Sequence, residues 1–461
     1  MGYTRLLFSL WCAKRNVNKP RNHIHRLQQK KLRKLLCYAY VHSEYYKRTF
    51  EKAGITSKNI NSVPLQQFPV LNKKILMEHF DELVTKKEIK QKELAEFDKD
   101  KKQALYQGQY HVVHSSGSTG KPRYFVYDEK AWEQMLTGII RGAFWGMTWK
   151  DIIKLLRDKP KILYIAATDG RYGGAMAIGD GVRGLKCSQH FLDINTPIAE
   201  WKKIVKEFNP NIIIGYPSAI KMLAEEMDNP RNNSICVNRV ISCGEPLNLG
   251  LRKYLENTFR CPVINFYGAS ESLALGVEGS IEDGMYLFDD MNIVEVLDGE
   301  MYITCLYNYS QPLIRYHISD KIQIRDKNSK DKYSFTKAEV LLCRNEDVMW
   351  FRKEDGTKEF IHPLSVEGLC IEGLLDYQFV QTSPHTFQVL AETENIVSKV
   401  NIKQELEKHL EALLQEKKLD NVIYEIFLVE GIMPDSKTGK KRLIMIKEDD
   451  FHETDYKEQA V

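Results

Sequence analysis

The stretch NIIIGYPSAIKMLAEEM, residues 211–227, reads as a strand, a turn and a helix in close succession. NIIIGY is short, β-branched and closed by glycine, as a buried strand is. SAIKMLAEEM then carries apolar residues at helical spacing. Between the two, Gly215, Tyr216, Pro217 and Ser218 form a turn in which glycine and proline interrupt both periods.

The same alternation continues on both sides. KILYIAA (161–167), RVISCGE (239–245) and PVINFYG (262–268) are further strands, and PIAEWKKIVKEF (197–208) is a further helix. Strands alternating with helices predict an α/β fold with a large, mostly parallel sheet flanked by helices. Ligands of such sheets sit beyond the carboxyl ends of the strands. The turns at 215–218, 244–246 and 267–271 each follow a strand, so they are expected to converge on one site.

Upstream, Ile24, Leu27, Leu32, Leu35, Leu36 and Tyr40 predict one helix over 24–53, with Lys30, Lys31, Arg33 and Lys34 on a solvated face. Lys86 to Lys102 is nearly all charge and helix formers, an exposed helix or a mobile connector. From about residue 285, MYLF, IVEVL and EMYITCLY predict an antiparallel β subdomain.

The last part of the chain reads as a small α+β domain. QFVQTSPHTFQVLAE is a hairpin, and VIYEIFLVEG is a strand. KVNIKQELEKHLEALLQEK is a helix with Val400, Leu406, Leu410 and Leu413 on one face. The expected domains are 1–343 and 344–461.

Composition narrows the partners. With 66 basic and 62 acidic residues the net charge is only +4, so no nucleic-acid surface is implied. The 9 cysteines are odd in number and lack a CxxC pair, which argues against a disulfide framework and a zinc ribbon. MGYTRLLFSLWCAKR is apolar only briefly before Lys14 and Arg15 and lacks a cleavage pattern, so it is not read as a signal peptide. No run reaches the roughly 20 apolar residues of a membrane helix, so no transmembrane segment is expected. These readings place the protein in the cytoplasm, where its basic amphipathic start suits contact with a membrane or a partner, and they leave a homodimer open.

HSSGSTGKPR, residues 114–123, has the composition of a phosphate loop. It is not GxxxxGK[ST]: Ser115 stands where the first glycine belongs, and Pro122 follows Lys121. The GxGxxG dinucleotide pattern also fails. What remains is a loop of hydroxyls and glycine-freed amides that can donate to a pyrophosphate or triphosphate.

Read together, six segments resemble the AMP-forming adenylation superfamily of acyl-CoA synthetases, in its phenylacetate-coenzyme A ligase-like branch, which includes capsule-biosynthesis relatives. They are HSSGSTGKPR, ISCGEPL (241–247), FYGASES (266–272), PLIRYHISD (312–320), CRNED (343–347) and MPDSKTGKKR (433–442), in the family's order. ATDGRYGG (167–174) resembles the branch's glycine-rich segment near the acyl pocket.

The resemblance implies an enzyme that uses ATP and Mg²⁺ to join a carboxylic acid to AMP, then passes the acyl group to a thiol. It implies that Ser115, Ser116, Gly117, Ser118, Thr119, Gly120 and Lys121 hold the ATP phosphates. Glu271, helped by Thr119, would bind the metal as a hard oxygen ligand. Gly244, Glu245, Pro246, Tyr267 and Gly268 would line the adenine, and Asp320 and Arg344 the ribose. Lys440 would be the catalytic cation near the α-phosphate and Glu346 the hinge. Tyr164, Tyr216, Ser218, Ala269 and Ser270 are the acyl-pocket candidates, and their mix of aromatic and small residues suits an aryl or small acid.

His317-Ile318-Ser319 stands where the family has Arg-Thr-Gly, and Cys343 stands at the hinge glycine. MWFRKEDGTKEFIHP is longer and more charged than the stretch that borders the pantetheine tunnel in coenzyme A ligases. The acceptor is therefore left among coenzyme A, a carrier-protein thiol and a sugar amine. A non-catalytic nucleotide-binding protein is disfavoured because Glu271, Asp320 and Lys440 are all retained.

Overall fold

The structure, a computed structural model, describes residues 3–447 except 101–102, 115–122, 167–172, 184–186, 194–195, 197, 228–234, 281–283, 298, 326–330, 345–348, 357, 362–365, 367–368, 370, 394–398 and 434–441. The chain divides into two compact units. One comprises Met1–Pro246 with Thr258–Leu342, the other Leu247–Asn257 with Cys343–Val461.

The first unit begins with helices α1 (Tyr3–Val17), α2 (Arg21–His42) and α3 (Glu44–Lys52). The single helix expected over 24–53 is thus broken at Ser43. That residue adopts extended backbone, and its hydroxyl oxygen accepts from the Tyr46 amide at 3.2 Å as the cap of α3. After α4 (Lys73–Glu78) and α5 (Phe80–Leu83), the charge-rich segment forms α6 (Gln91–Lys99). It is a helix, as one of the two expectations had it, but not a wholly exposed one, because Leu94 and Phe97 are buried and Asp98 pairs with His114 at 2.9 Å.

Strands β1 (Tyr110–His114) and β2 (Tyr124–Asp128) pair antiparallel on either side of the Ser/Gly-rich loop. Asp128 caps α7 (Glu129–Ala143), whose Trp132 and Met135 are fully buried. Next come α8 (Trp149–Arg157), β3 (Lys161–Ala166), α9 (Gly173–Arg183), β4 (Ser188–Asp193), α10 (Ile198–Phe208), β5 (Ile212–Gly215), α11 (Pro217–Glu226), β6 (Arg239–Cys243) and β7 (Val263–Ala269); α12 (Leu249–Phe259), between the last two in sequence, belongs for most of its length to the second unit.

The chain then turns antiparallel through β8 (Ser272–Glu278), β9 (Met285–Leu287), β10 (Asn292–Leu297), β11 (Glu300–Cys305), β12 (Tyr316–Ile318), β13 (Asp320–Arg325) and β14 (Lys337–Arg344). The main sheet has 9 strands in the order β13-β14-β9-β8-β7-β6-β5-β3-β4. Its β4-β3-β5-β6-β7 half is parallel, as the alternation predicted, and β7, β8 and β9 pair antiparallel. Strands β10, β11 and β12 make a separate antiparallel sheet of 3 strands.

In the second unit, β15 (Met349–Arg352) and β16 (Lys358–Ile361) form a hairpin from the long charged stretch. Strands β17 (Leu374–Ser383), β18 (Thr386–Thr393), β19 (Ile423–Val429) and β20 (Ile444–Ile446) form a sheet ordered β19-β18-β17-β20, and α13 (Lys399–Lys417) supplies Ile402, Leu406, Leu410 and Leu414 to the core around Phe379, Phe387 and Val389. The apolar stripe of α13 differs from expectation. Val400 is exposed and Leu413 only partly buried, because the buried face repeats every fourth residue from Ile402. Among the described residues no helix is long and apolar enough to cross a membrane.

Candidate active site

The parallel register sets the strand ends side by side. Ile165 pairs with Gly215, Gly215 with Ser242, and Cys243 with Phe266. The turns that leave β5, β6 and β7 therefore emerge along one edge, as the sequence predicted.

At the β6 turn, Gly244 has φ +81°, and a Cβ there would lie 2.8 Å from the Tyr216 ring. Glycine is required both for the backbone and for the approach of Tyr216. The Glu245 carboxylate accepts from the Ser218 amide at 3.2 Å and from its hydroxyl at 3.0 Å. Negative charge is thus placed at the N-terminus of α11, where the helix dipole favours it. Gly244, Glu245, Tyr216 and Ser218, assigned to two different subsites by the sequence, form one clamp between β5 and β6.

At the end of β7 the register shifts between Tyr267 and Ala269, a bulge at Gly268 where a Cβ would meet the Leu273 carbonyl oxygen at 2.3 Å. The bulge carries Ala269 and Ser270 to Glu271, whose side chain is buried. The Tyr127 hydroxyl, reaching over from β2, donates to the carbonyls of Ser270 at 3.3 Å and Glu271 at 3.2 Å and fixes this turn.

Arg123, just after the Ser/Gly-rich loop, donates to Glu271 Oε1 at 3.2 Å and to the Tyr316 hydroxyl at 3.2 Å. Tyr316 keeps its proton because burial, then the Glu271 charge, pushes its pKa up. Three motif segments thus meet in one cluster: the loop's end, the β7–β8 turn and β12.

The cluster continues into the ribose candidates. The Tyr267 hydroxyl donates to Asp320 Oδ2 at 2.9 Å. Burial first, and Asp320 next, hold that phenol far above its ordinary pKa, so it stays a donor. His317, standing where the family has arginine, pairs instead with Glu300 at 2.8 Å. Tyr164, on β3, is buried edge-on against Phe191 with ring centroids 5.7 Å apart.

Ser115 to Lys121, Glu346 and Lys440 lie outside the described residues, as does the side chain of Arg344, whose backbone ends β14. Arg123, Tyr316 and Tyr127 are members of the site that the sequence reading did not assign. The first two stand inside the quoted segments HSSGSTGKPR and PLIRYHISD, and that membership was the available signal.

Among the described residues no group of three or more His, Cys, Asp and Glu could hold a metal alone. A single buried carboxylate nevertheless fits Mg²⁺, which is commonly held by one or two carboxylates together with substrate phosphates and water.

A parallel α/β sheet that gathers at its strand ends a buried glutamate, a loop arginine and an aspartate-tethered tyrosine has the arrangement that the sequence resemblance implies for an adenylate-forming ligase. The AMP-binding enzyme family matches residues 49–287, over half of the chain, and the chain belongs to that family. It is 23% identical over 429 residues to a phenylacetate-coenzyme A ligase of Thermus thermophilus, covering 88% of this chain and 86% of that one. It is also 23% identical to protein CapK of Staphylococcus aureus, covering 91% and 89%. Among solved structures, 2-hydroxyisobutyryl-CoA ligase in the postadenylation state, in complex with 2-HIB-AMP, shares its fold with a TM-score of 0.71 at 18% identity over 94% of this chain and 92% of that one.

Proposed function

We propose that this chain joins a carboxylic acid, aryl or small acyl, to AMP and then transfers the acyl group to the thiol of coenzyme A. The observation that carries the reading is the cluster of Arg123, Glu271 and Tyr316, which ties the phosphate-loop hairpin to the metal carboxylate and the ribose strand. Family membership and the phenylacetate-coenzyme A ligase relatives support it.

In the first step a carboxylate oxygen attacks the α-phosphorus of ATP and the bond to pyrophosphate breaks. Residues 115–121 hold the β- and γ-phosphates as they leave, and Lys440 offsets charge at the α-phosphate. Glu271 and Thr119 would hold Mg²⁺, which would supply positive charge against that developing on the leaving group. Tyr267 and Gly244 to Pro246 line the adenine, and Asp320 and Arg344 position the ribose. Arg123 holds the Glu271 carboxylate in place.

In the second step the thiol sulfur attacks the acyl carbon, AMP departs and the thiol proton passes to solvent. The segment 344–461 acts as a mobile domain hinged at Glu346. Lys440→Ala is then expected to slow acyl-AMP formation about 100-fold, the scale of one lost transition-state donor, while sparing transfer from preformed acyl-AMP. Single-turnover measurements of both steps check this, and equal loss in both contradicts the division of labour.

The proposal as a whole is tested by incubating the protein with ATP, Mg²⁺, an acid panel and coenzyme A. AMP and an acyl-CoA should appear together by mass spectrometry. AMP released in stoichiometric amount only with a carrier protein or an amino sugar moves the acceptor, and no AMP under any pairing rejects the ligase.

A further inference from the structure

Helix α1 is apolar on two sides. Its inner side, Leu10, Ala13 and Val17, is buried in the first unit. Its outer side carries Phe8 and Trp11, which stack with centroids 6.0 Å apart and are 65% and 41% exposed. Folding accounts for the first side only.

A second helix extends the outer side. Lys14, one turn beyond Trp11, donates to the Met147 carbonyl at 2.8 Å and sits 5.7 Å from the centre of the Trp149 ring. Trp149 opens α8 and is 37% exposed, and Ile153, one turn further, is 63% exposed. Phe8 and Trp11 on α1, and Trp149 and Ile153 on α8, are thus exposed apolar residues of two helices that Lys14 links. Exposed apolar surface that folding does not explain marks an interaction site.

The rim is cationic. Arg15 lies 4.4 Å from the centre of the Trp11 ring, and Lys150, Lys154 and Arg157 line α8. The acids beside them are engaged locally: Asp151 closes the capping box with Thr148, and Asp158 lies 3.7 Å from Arg157. The chain as a whole is nearly neutral at +4, so this positive rim is a local feature.

We propose that this patch docks the protein on an anionic lipid bilayer. Tryptophan and phenylalanine above a basic rim are the composition that lies in a membrane interface, where aromatic rings enter the headgroup layer and lysine and arginine meet anionic lipid. A second copy of the chain fits poorly, because in a two-fold interface the positive rim would face itself. Side chains that stand this far out of the surface also suit a fluid phase better than a rigid partner. Docking leaves the carboxyl-end site untouched, since no residue of the patch belongs to it.

The full-length protein is sedimented with vesicles of phosphatidylcholine alone and with about 30% phosphatidylglycerol, the anionic leaflet the rim requires. Binding to the anionic vesicles, a blue shift of tryptophan fluorescence and release at high salt are expected. Trp11→Ser with Phe8→Ser, and separately Lys150→Glu with Lys154→Glu, should each weaken that binding about tenfold or more. Thermal unfolding at the wild-type temperature establishes that both variants are folded. Three results overturn the proposal: equal or absent binding to the two vesicle compositions, variants that bind like the wild type, or a dimer in sedimentation equilibrium that Trp11→Ser dissolves.

Discussion

Two arginine–carboxylate pairs in the first unit use the same chemistry at different depths. Arg141 contacts both oxygens of Asp290, at 3.0 and 2.9 Å, and stacks 4.1 Å from the centre of the Phe288 ring, with side chains 1% and 5% exposed. Asn16 from α1 and Lys31 from α2 close around the same aspartate, on its carboxylate and carbonyl. Arg123 instead touches one oxygen of Glu271 at 3.2 Å and shares itself with Tyr316, with its own side chain 21% exposed. The first pair is sealed between helices and the β9–β10 turn and orders the fold. The second lies where a loop, a bulged strand end and β12 meet, at the edge where such sheets take ligands. Depth and neighbours, not the residue types, separate a structural pair from a functional one.

The sharpest way to break this contrast is to remove one partner of the sealed pair. Arg141→Met is expected to cost about 3–5 kcal/mol of stability, because Asp290 keeps its charge without its main partner. In the wild type, burial pushes the Asp290 pKa up, but Arg141 first, with Lys31 and Asn16, outweighs that and holds it below the ordinary value. A depressed pKa gives stability that is complete above the unfolded value near about 4 and is lost as pH falls through the folded one. In Arg141→Met burial prevails and the pKa rises, so the variant gains stability relative to the wild type as pH drops from 7 toward about 4.5. Thermal melts of both proteins across that window measure it, and a deficit that is constant with pH contradicts the assignment.

Glu271→Gln should do the reverse. We expect adenylation to fall about 100-fold or more, with a melting temperature within about 2 °C of the wild type. A comparable loss of stability would make the two pairs alike. The smallest effect falls on Tyr267→Phe, which removes the hydrogen bond to Asp320 at a cost of about 1 kcal/mol. That should appear as a several-fold rise in KM for ATP with kcat nearly unchanged, read from initial rates at saturating acid.

What the sequence disclosed follows from what is local. The β5 strand, its turn and α11 were legible because strand pattern, proline and helical period adjoin within residues 211–227. The edge strand β4, SQHFLD, escaped notice because only Leu192 in it is buried, so it lacks a core strand's apolar run. The hairpin of β1 and β2 was hidden behind the loop it carries. Ser43 broke a helix whose period otherwise continued, since a serine cap competes with the helix only through its own side chain.

The site divides in the same way. Glu271, Tyr267 and Asp320 could be named from their motifs, but the partners could not. Arg123 meets Glu271 across 148 residues and Tyr316 across 193, distances that only the packing of three separate sheets closes. The double duty of Ser218 and Glu245 was hidden for the same reason, because the β5–β6 pairing that joins them spans 27 residues.

The central claim is that this edge of the sheet adenylates a carboxylic acid. Its most direct test is acid-dependent exchange of labelled pyrophosphate into ATP, run on the wild type and on Glu271→Gln across a panel of aryl and short-chain acids. The account predicts exchange with at least one acid in the wild type and its near-complete loss in a folded Glu271→Gln. Absence of exchange with every acid, or exchange that Glu271→Gln leaves intact, would contradict it.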